Sequence, residues 1–109
     1  MELNDYQIQS KKTAQYPNVG NNFIYPALGL CGEAGEVAEK IKKILRDNQN
    51  MADSERIGEI KRELGDVLWY VAQLSTELNL TLEDIAQANI DKLQKRLQTN
   101  SIHGNGDNR

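Results

Sequence analysis

Two pairs of carboxylates at i, i+3 spacing, Glu33 with Glu36 and Glu63 with Asp66, are the residues of this 109-residue chain best suited to chemistry. Each pair lies in the same phrase: Leu30-Cys31-Gly32-Glu33-Ala34-Gly35-Glu36-Val37 returns 30 residues on as Ile60-Lys61-Arg62-Glu63-Leu64-Gly65-Asp66-Val67. Aliphatic residues follow at matching places, Ile41 and Ile44 in one copy, Val71 and Leu74 in the other. At about 100° of rotation per residue, each acidic pair falls beside the apolar stripe, while Glu39, Lys42, Glu59 and Arg62 fall on the polar back. One such pair on a solvated face would mean little. Two pairs in matched frames, on helices that must face each other, aim four carboxylates at one point. Such a cluster is tolerated mainly when some members are protonated or a cation sits among them, so the expectation is a divalent metal site on Glu33, Glu36, Glu63 and Asp66.

The ligand types narrow the ion. Carboxylate oxygens without histidine or cysteine suit Mg²⁺, with Mn²⁺ as the alternative, far better than zinc or copper. The single histidine, His103, stands in the glycine-rich tail, so the Glu-x-x-His pattern of di-iron bundles is missing. Mg²⁺ held by a few carboxylates keeps positions for water and substrate phosphates, which points to phosphoanhydride hydrolysis with one carboxylate orienting the attacking water.

A phosphate substrate needs cations, and Asn89, Lys92 and Arg96 share one helical edge beside Leu93 and Leu97. Basic residues near a helix end also simply complement its dipole, a reading that applies to Arg96 and Lys95 alike and leaves Lys92 the better phosphate candidate. Lys40, one turn beyond Glu36, can reach a carboxylate or a phosphate. Tyr70 projects along the Glu63 and Asp66 edge as a candidate for substrate contact, whereas Trp69 reads as core. The tail 104–109 reads either as a frayed terminus or as a flap whose Arg109 closes over an anion. Cys31 reads as a small buried helical residue.

The elements that must position these groups are helical. Leu3, Tyr6, Ile8 and Ala14 give a first helix from Leu3 to about Tyr16, with Asn4 or Asp5 as cap. Pro26 opens a second helix reaching about Arg46, and 47–50 ends it. Ser54 is the expected cap of a third helix to about Leu78, and Thr81 with Asp84 starts a fourth to about Gln98. Ile85, Ala86, Ile90, Leu93 and Leu97 form the expected inner face of the fourth. No strand pattern occurs, so the fold class is all-α, a four-helix-type bundle in which two carboxylate-bearing helices form the metal site. The chain reads as one domain, 1–109, with 100–109 a glycine-rich tail. Gly29, Gly32, Gly35 and Gly65 within helices each cost about 1 kcal/mol against Ala, which calls for close approach of a neighbouring backbone.

Composition sets the remaining limits. A chain this short gains from oligomerisation, so a homodimer or homotetramer is expected. A net charge of −3 with interspersed signs offers no field for a nucleic-acid backbone. Apolar runs fall short of the ~20 residues that span a bilayer, and the polar, acidic start is not signal-like. With one cysteine there is no intrachain disulfide, in keeping with a cytoplasmic location.

The pattern Glu33-x-x-Glu36, a spacer, then Glu63-x-x-Asp66 resembles the signature of MazG-like members of the all-α nucleoside triphosphate pyrophosphohydrolase superfamily. The likeness extends to Tyr25–Lys40, Glu63–Tyr70, Asn89–Lys92 and Gly106–Arg109, nearly the whole chain. It implies Mg²⁺-dependent cleavage between the α and β phosphates of a nucleoside triphosphate, releasing monophosphate and pyrophosphate, in a homodimer or dimer of dimers. It further implies that Glu33, Glu36, Glu63 and Asp66 bind metal, one glutamate helping to activate water, and that Asn89, Lys92 and Arg96 contact phosphate or sugar. Longer MazG proteins carry a Trp- and Gln-containing stretch where this chain has Asn21–Pro26, so base preference does not carry over. A phosphoribosyl-ATP pyrophosphohydrolase-like enzyme and a catalytically silent helical oligomerisation module are the competing readings.

Overall fold

The computed structural model describes residues 1–108. Four helices follow in order: α1 (Leu3–Lys11), α2 (Ile24–Asp47), α3 (Ser54–Glu77) and α4 (Leu82–Gln98), with no strand among the described residues. The long pair, α2 and α3, are each 24 residues, about 36 Å at 1.5 Å per residue. The 48–53 turn folds them into an antiparallel hairpin with the most extensive helix–helix packing in the chain.

Side chains define the helix starts. Asn22 Oδ1 accepts the Tyr25 N–H at 3.1 Å, and buried Pro26 sits in the first turn of α2, where no N–H is needed. Asp53 caps α3 by accepting the Arg56 N–H at 3.0 Å, and Thr81 caps α4 by accepting the Asp84 N–H at 3.1 Å. Ser54, the expected cap, is instead the first helical residue, because the Asp53 carboxylate is the stronger acceptor and also holds the Arg56 guanidinium at 2.8 Å. At the start of α1, Asp5 accepts the Glu2 N–H at 3.1 Å, and Asn4 reaches across to accept the Glu83 N–H of α4 at 3.1 Å.

α1 is shorter than its periodicity suggested and turns a polar face inward. Ile8 is exposed while Gln7 and Ser10 are buried. Gln7 satisfies the backbone of the α3–α4 connector, donating to Leu80 O at 2.9 Å and Thr76 Oγ1 at 3.0 Å and accepting the Leu82 N–H at 2.8 Å. Gln73 of α3 donates to Ser10 Oγ at 2.8 Å. These bonds explain the polar choice: α1 covers the Leu80 carbonyl and the Leu82 N–H, and an aliphatic side chain at position 7 would leave both without a partner.

α4 docks on α1 and has at most marginal contact with the α2–α3 pair. Its expected inner face is therefore open within one chain, with Ile85, Ile90, Leu93 and Leu97 exposed and Leu82 and Arg96 the buried residues. Along the hairpin Leu28, Ile41, Leu45, Leu64 and Leu68 are likewise exposed, and Cys31, expected to be buried, is exposed too. The chain's radius of gyration is 16.7 Å, against about 13 Å for a compact domain of this length. This openness corrects the glycine expectation as well. Gly32, Gly35 and Gly65 face empty space in one chain; only at Gly29 would a Cβ overlap a neighbour, the ring of Tyr70.

Candidate metal centre

The hairpin brings Glu33 from α2 together with Glu63 and Asp66 from α3. One carboxylate oxygen of each lies within 4.8 Å of the others. Glu33 and Glu63 are half-buried and Asp66 is exposed, which places the group at the lip of the helix pair. Glu36, the fourth acid, is exposed one turn further along α2 and lies outside this close triad, though its charge still acts on Glu33. The Glu33 carboxyl is pushed above its usual range, first by burial, then by the charges of Asp66 and Glu63, a hydrogen bond with Glu63, and Glu36. Burial and the neighbouring negative charges thus act in the same direction, and a divalent cation among the three would oppose both. Three hard oxygen donors on two helices, with neither imidazole nor thiolate, fit Mg²⁺ or Mn²⁺.

An aromatic wall flanks the triad. Tyr70 packs into the notch at Gly29, hydrogen-bonds Tyr25, and has its phenol pushed up by burial, by Tyr25 and by the charges of Glu33 and Asp66. Trp69 meets Tyr70 edge-on at 5.0 Å and Tyr16 edge-on at 6.4 Å, and Tyr16 stacks on Tyr25 at 5.2 Å. The Trp69 indole N–H donates to Thr13 Oγ1 at 2.8 Å. Glu77 anchors the loop before α2, accepting N–H groups of Gly20 (2.9 Å) and Asn22 (2.8 Å) and a bond from the Tyr16 hydroxyl. Tyr6, read from sequence only as part of an apolar stripe, stands near Asp66, whose charge together with burial raises its phenol. Nothing in the local spacing of α1 signals this; it follows from the docking of α1 on α3.

The other sequence candidates divide. Lys40 pairs with Glu59 of α3 at 3.9 Å, so Glu59 belongs to the hairpin seam rather than to its polar back. Asn89 and Lys92 lie along α4 beside a cleft of about 350 Å³ also lined by Ile85 and Ala88. Arg96 is buried against the tail, held by Gly106 and Asp107. Because α4 docks on α1, one chain does not pack this basic edge against the carboxylate hairpin. Arg109 lies outside the described residues.

A helical hairpin that converges three carboxylates beside an aromatic wall defines an all-α protein with an acidic cluster that could hold a metal ion. Residues 26–100 match the family described as MazG nucleotide pyrophosphohydrolase domain, and the chain belongs to that family. The match covers α2 from Pro26 on, α3 and α4, and leaves α1 and the tail beyond residue 100 outside it. The chain is 45% identical to the Gene 37 protein of Mycobacterium phage L5 over the full length of both. It is 35% identical to the uncharacterized protein YvdC of Bacillus subtilis (strain 168), over 63% of this chain and 70% of that protein. No solved structure matches.

Proposed function

We propose that this protein is a Mg²⁺-dependent nucleoside triphosphate pyrophosphohydrolase that cleaves the α–β phosphoanhydride to give a nucleoside monophosphate and pyrophosphate. The observation that carries the reading is the convergence of Glu33, Glu63 and Asp66 within 4.8 Å in a chain of the MazG family. These three, with Glu36 one turn away, would hold the cation, with Mn²⁺ as the alternative. Bound there, the cation supplies charge neutralisation at the phosphates and polarises water. One glutamate of the cluster would orient the attacking water and accept its proton. Tyr70 and Tyr25 shield one flank from bulk water and give a nucleotide a stacking surface. Asn89 and Lys92 contribute amide and ammonium donors for sugar and phosphate, Lys40 screens the hairpin charge through Glu59, and Arg109 is a further phosphate contact. Among the described residues no helix is long and apolar enough to cross a membrane. The role assigned is cytoplasmic nucleotide-pool housekeeping.

The protein works as a homo-oligomer, a dimer or tetramer. The support is the exposed aliphatic row along α2, α3 and α4, more than a monomer of this size ordinarily shows to water. No nucleic acid or membrane enters the reading. The test is to incubate pure protein with ribo-, deoxy- and modified triphosphates, with Mg²⁺ and with chelator, and identify products by phosphorus NMR. Monophosphate plus pyrophosphate, dependent on metal, is the expected result. Diphosphate plus orthophosphate would overturn it. No product from the panel, with phosphoribosyl-ATP then cleaved, would assign that substrate instead; no product from any would assign a silent oligomerisation module.

A further inference from the structure

Arg96 is the one charged residue buried among those described, at 5% exposure, and a buried guanidinium needs partners. It finds them in the tail. Its Nη2 donates to Asp107 O at 3.0 Å, to Gly106 O at 3.4 Å and to Asp107 Oδ1 at 3.2 Å. The chain reaches that position by a built-in reversal. α4 ends with Asn100 in the left-handed region at φ 56°, and the Ser101 N–H returns to Arg96 O at 2.7 Å, the bond pattern of a Schellman cap. Both ends of the 101–107 segment are thus fastened to the same residue. Gly106, at φ 76°, supplies the second left-handed turn that brings Asp107 back onto α4.

The same Asp107 Oδ1 accepts a bond from Lys92 Nζ at 3.1 Å, one helical turn before Arg96. One carboxylate therefore bridges two cations, leaving a net positive charge on the trio. Asp107 is held below its usual carboxyl range by the hydrogen bonds from Lys92 and then Arg96, so at neutral pH it is an anion. Lys92 keeps two of its three donors for other partners. It stands between the cleft beside Asn89 and a polar cleft of about 340 Å³ lined by Lys92, Lys95, Arg96, Asp107 and Asn108. Arg96, by contrast, is buried and commits its Nη2 to the tail.

We propose that Asp107 is a positioning residue for phosphate binding: by bridging Lys92 and Arg96 it holds the Lys92 ammonium at the border of the two clefts, where the polyphosphate of a nucleotide docks. This rests on the nucleotide reading above. A free lysine must lose rotamer freedom when it grips a phosphate; one already pinned on Asp107 has lost it before the ligand arrives. Arg96 then serves as the anchor of the strap rather than as a phosphate ligand.

The test is calorimetric titration of tripolyphosphate into the full chain at low ionic strength, without metal, for unaltered protein, D107A, D107E, K92A and the K92A/D107A double variant. The expected loss is about fivefold in affinity for D107A, the scale of ordering one long side chain, with partial recovery in D107E. On the K92A background, D107A should bring no further loss, which a merely structural role of the tail would not produce. Steady-state kinetics should show the D107A effect in KM with kcat little changed. Tighter binding in D107A would overturn the proposal, since Asp107 would then be competing with phosphate for the cations. Equal losses with and without Lys92, or no tripolyphosphate binding by the unaltered protein, would overturn it too. Should the binding pattern hold while no nucleotide is turned over, the role of Asp107 stands and the hydrolase reading fails.

Discussion

Removing one charge from the carboxylate triad should stabilise the metal-free protein and abolish its response to metal. Three carboxylates with oxygens within 4.8 Å make three repulsive pairs. At this partly solvated site each pair costs about 1 kcal/mol, a value near the high-dielectric limit. Glu63→Gln keeps the shape and cancels two of the three pairs, so it relieves about 2 kcal/mol. With an unfolding entropy of about 2.1 cal/mol/K per residue over 109 residues, each kcal/mol moves Tm by about 4 °C, giving a rise of about 8 °C in chelator. In the unaltered protein, Mg²⁺ at tenfold its Kd adds about 1.4 kcal/mol, or about 6 °C. Differential scanning calorimetry of both proteins, in chelator and in Mg²⁺ or Mn²⁺, measures all four points. The variant should melt higher without metal, show little metal shift, and lose turnover. A metal-free Tm that falls in Glu63→Gln, or a metal shift equal in both proteins, would refute the view of the triad as a repulsive cluster awaiting a cation.

The raised Glu33 carboxyl gives a pH dependence with a definite sign. Its contribution to metal-free stability is fully present below the ordinary value of 4.5 and is lost as pH rises through the raised one, while the Mg²⁺ shift must grow over that same interval because the ligand has to be ionised. Melting scans across mildly acidic pH, with and without metal, should show opposite slopes. Tyr16 is pushed up to about 12 by burial and by Glu77, so the neutral phenol contributes stability below pH 10 that is lost between pH 10 and about 12. Phenolate absorbance should show Tyr6, Tyr16 and Tyr70 all titrating late, and the Tyr16 component should move earlier in Glu77→Gln. That variant should also lose about 1–2 kcal/mol, since two backbone N–H groups forfeit a charged acceptor. Gly29→Ala places a methyl against the Tyr70 ring and should cost about 1–3 kcal/mol in denaturant unfolding, together with altered nucleotide KM. An unchanged midpoint would mean that Tyr70 swings aside freely.

Helix number, the α2 and α4 starts, and the membership of Glu33, Glu63 and Asp66 in one carboxylate cluster were legible because each is local or periodic. Matched i, i+3 acids beside apolar stripes fix a helix face whatever the partner helix is. The α3 cap falls one residue before the Ser54 that spacing suggests, since Asp53 and Ser54 both carry acceptors and the Asp53 carboxylate is the stronger one, bonding both the N–H and the guanidinium of Arg56. Glu36 was read as equal to Glu33 by spacing. The hairpin crossing sets Glu33 toward α3 and leaves Glu36 one turn away, a distinction that no single-helix pattern contains.

By itself, the sequence determined the elements and the chemistry: hard carboxylate donors, an adjoining apolar stripe and a basic edge on α4, all written in residue type and a 3.6-residue period. Tertiary structure alone decided which groups meet across elements. It turned α1 inward on Gln7 and Ser10, brought Tyr6 to Asp66, and left the aliphatic face of α4 open. It also gave Lys92 and Arg96 to Asp107 rather than leaving them free. Such pairings depend on the angle and depth at which helices dock and on where a left-handed residue such as Asn100 turns the chain back. Those quantities arise from burying many side chains at once, and no local spacing encodes them.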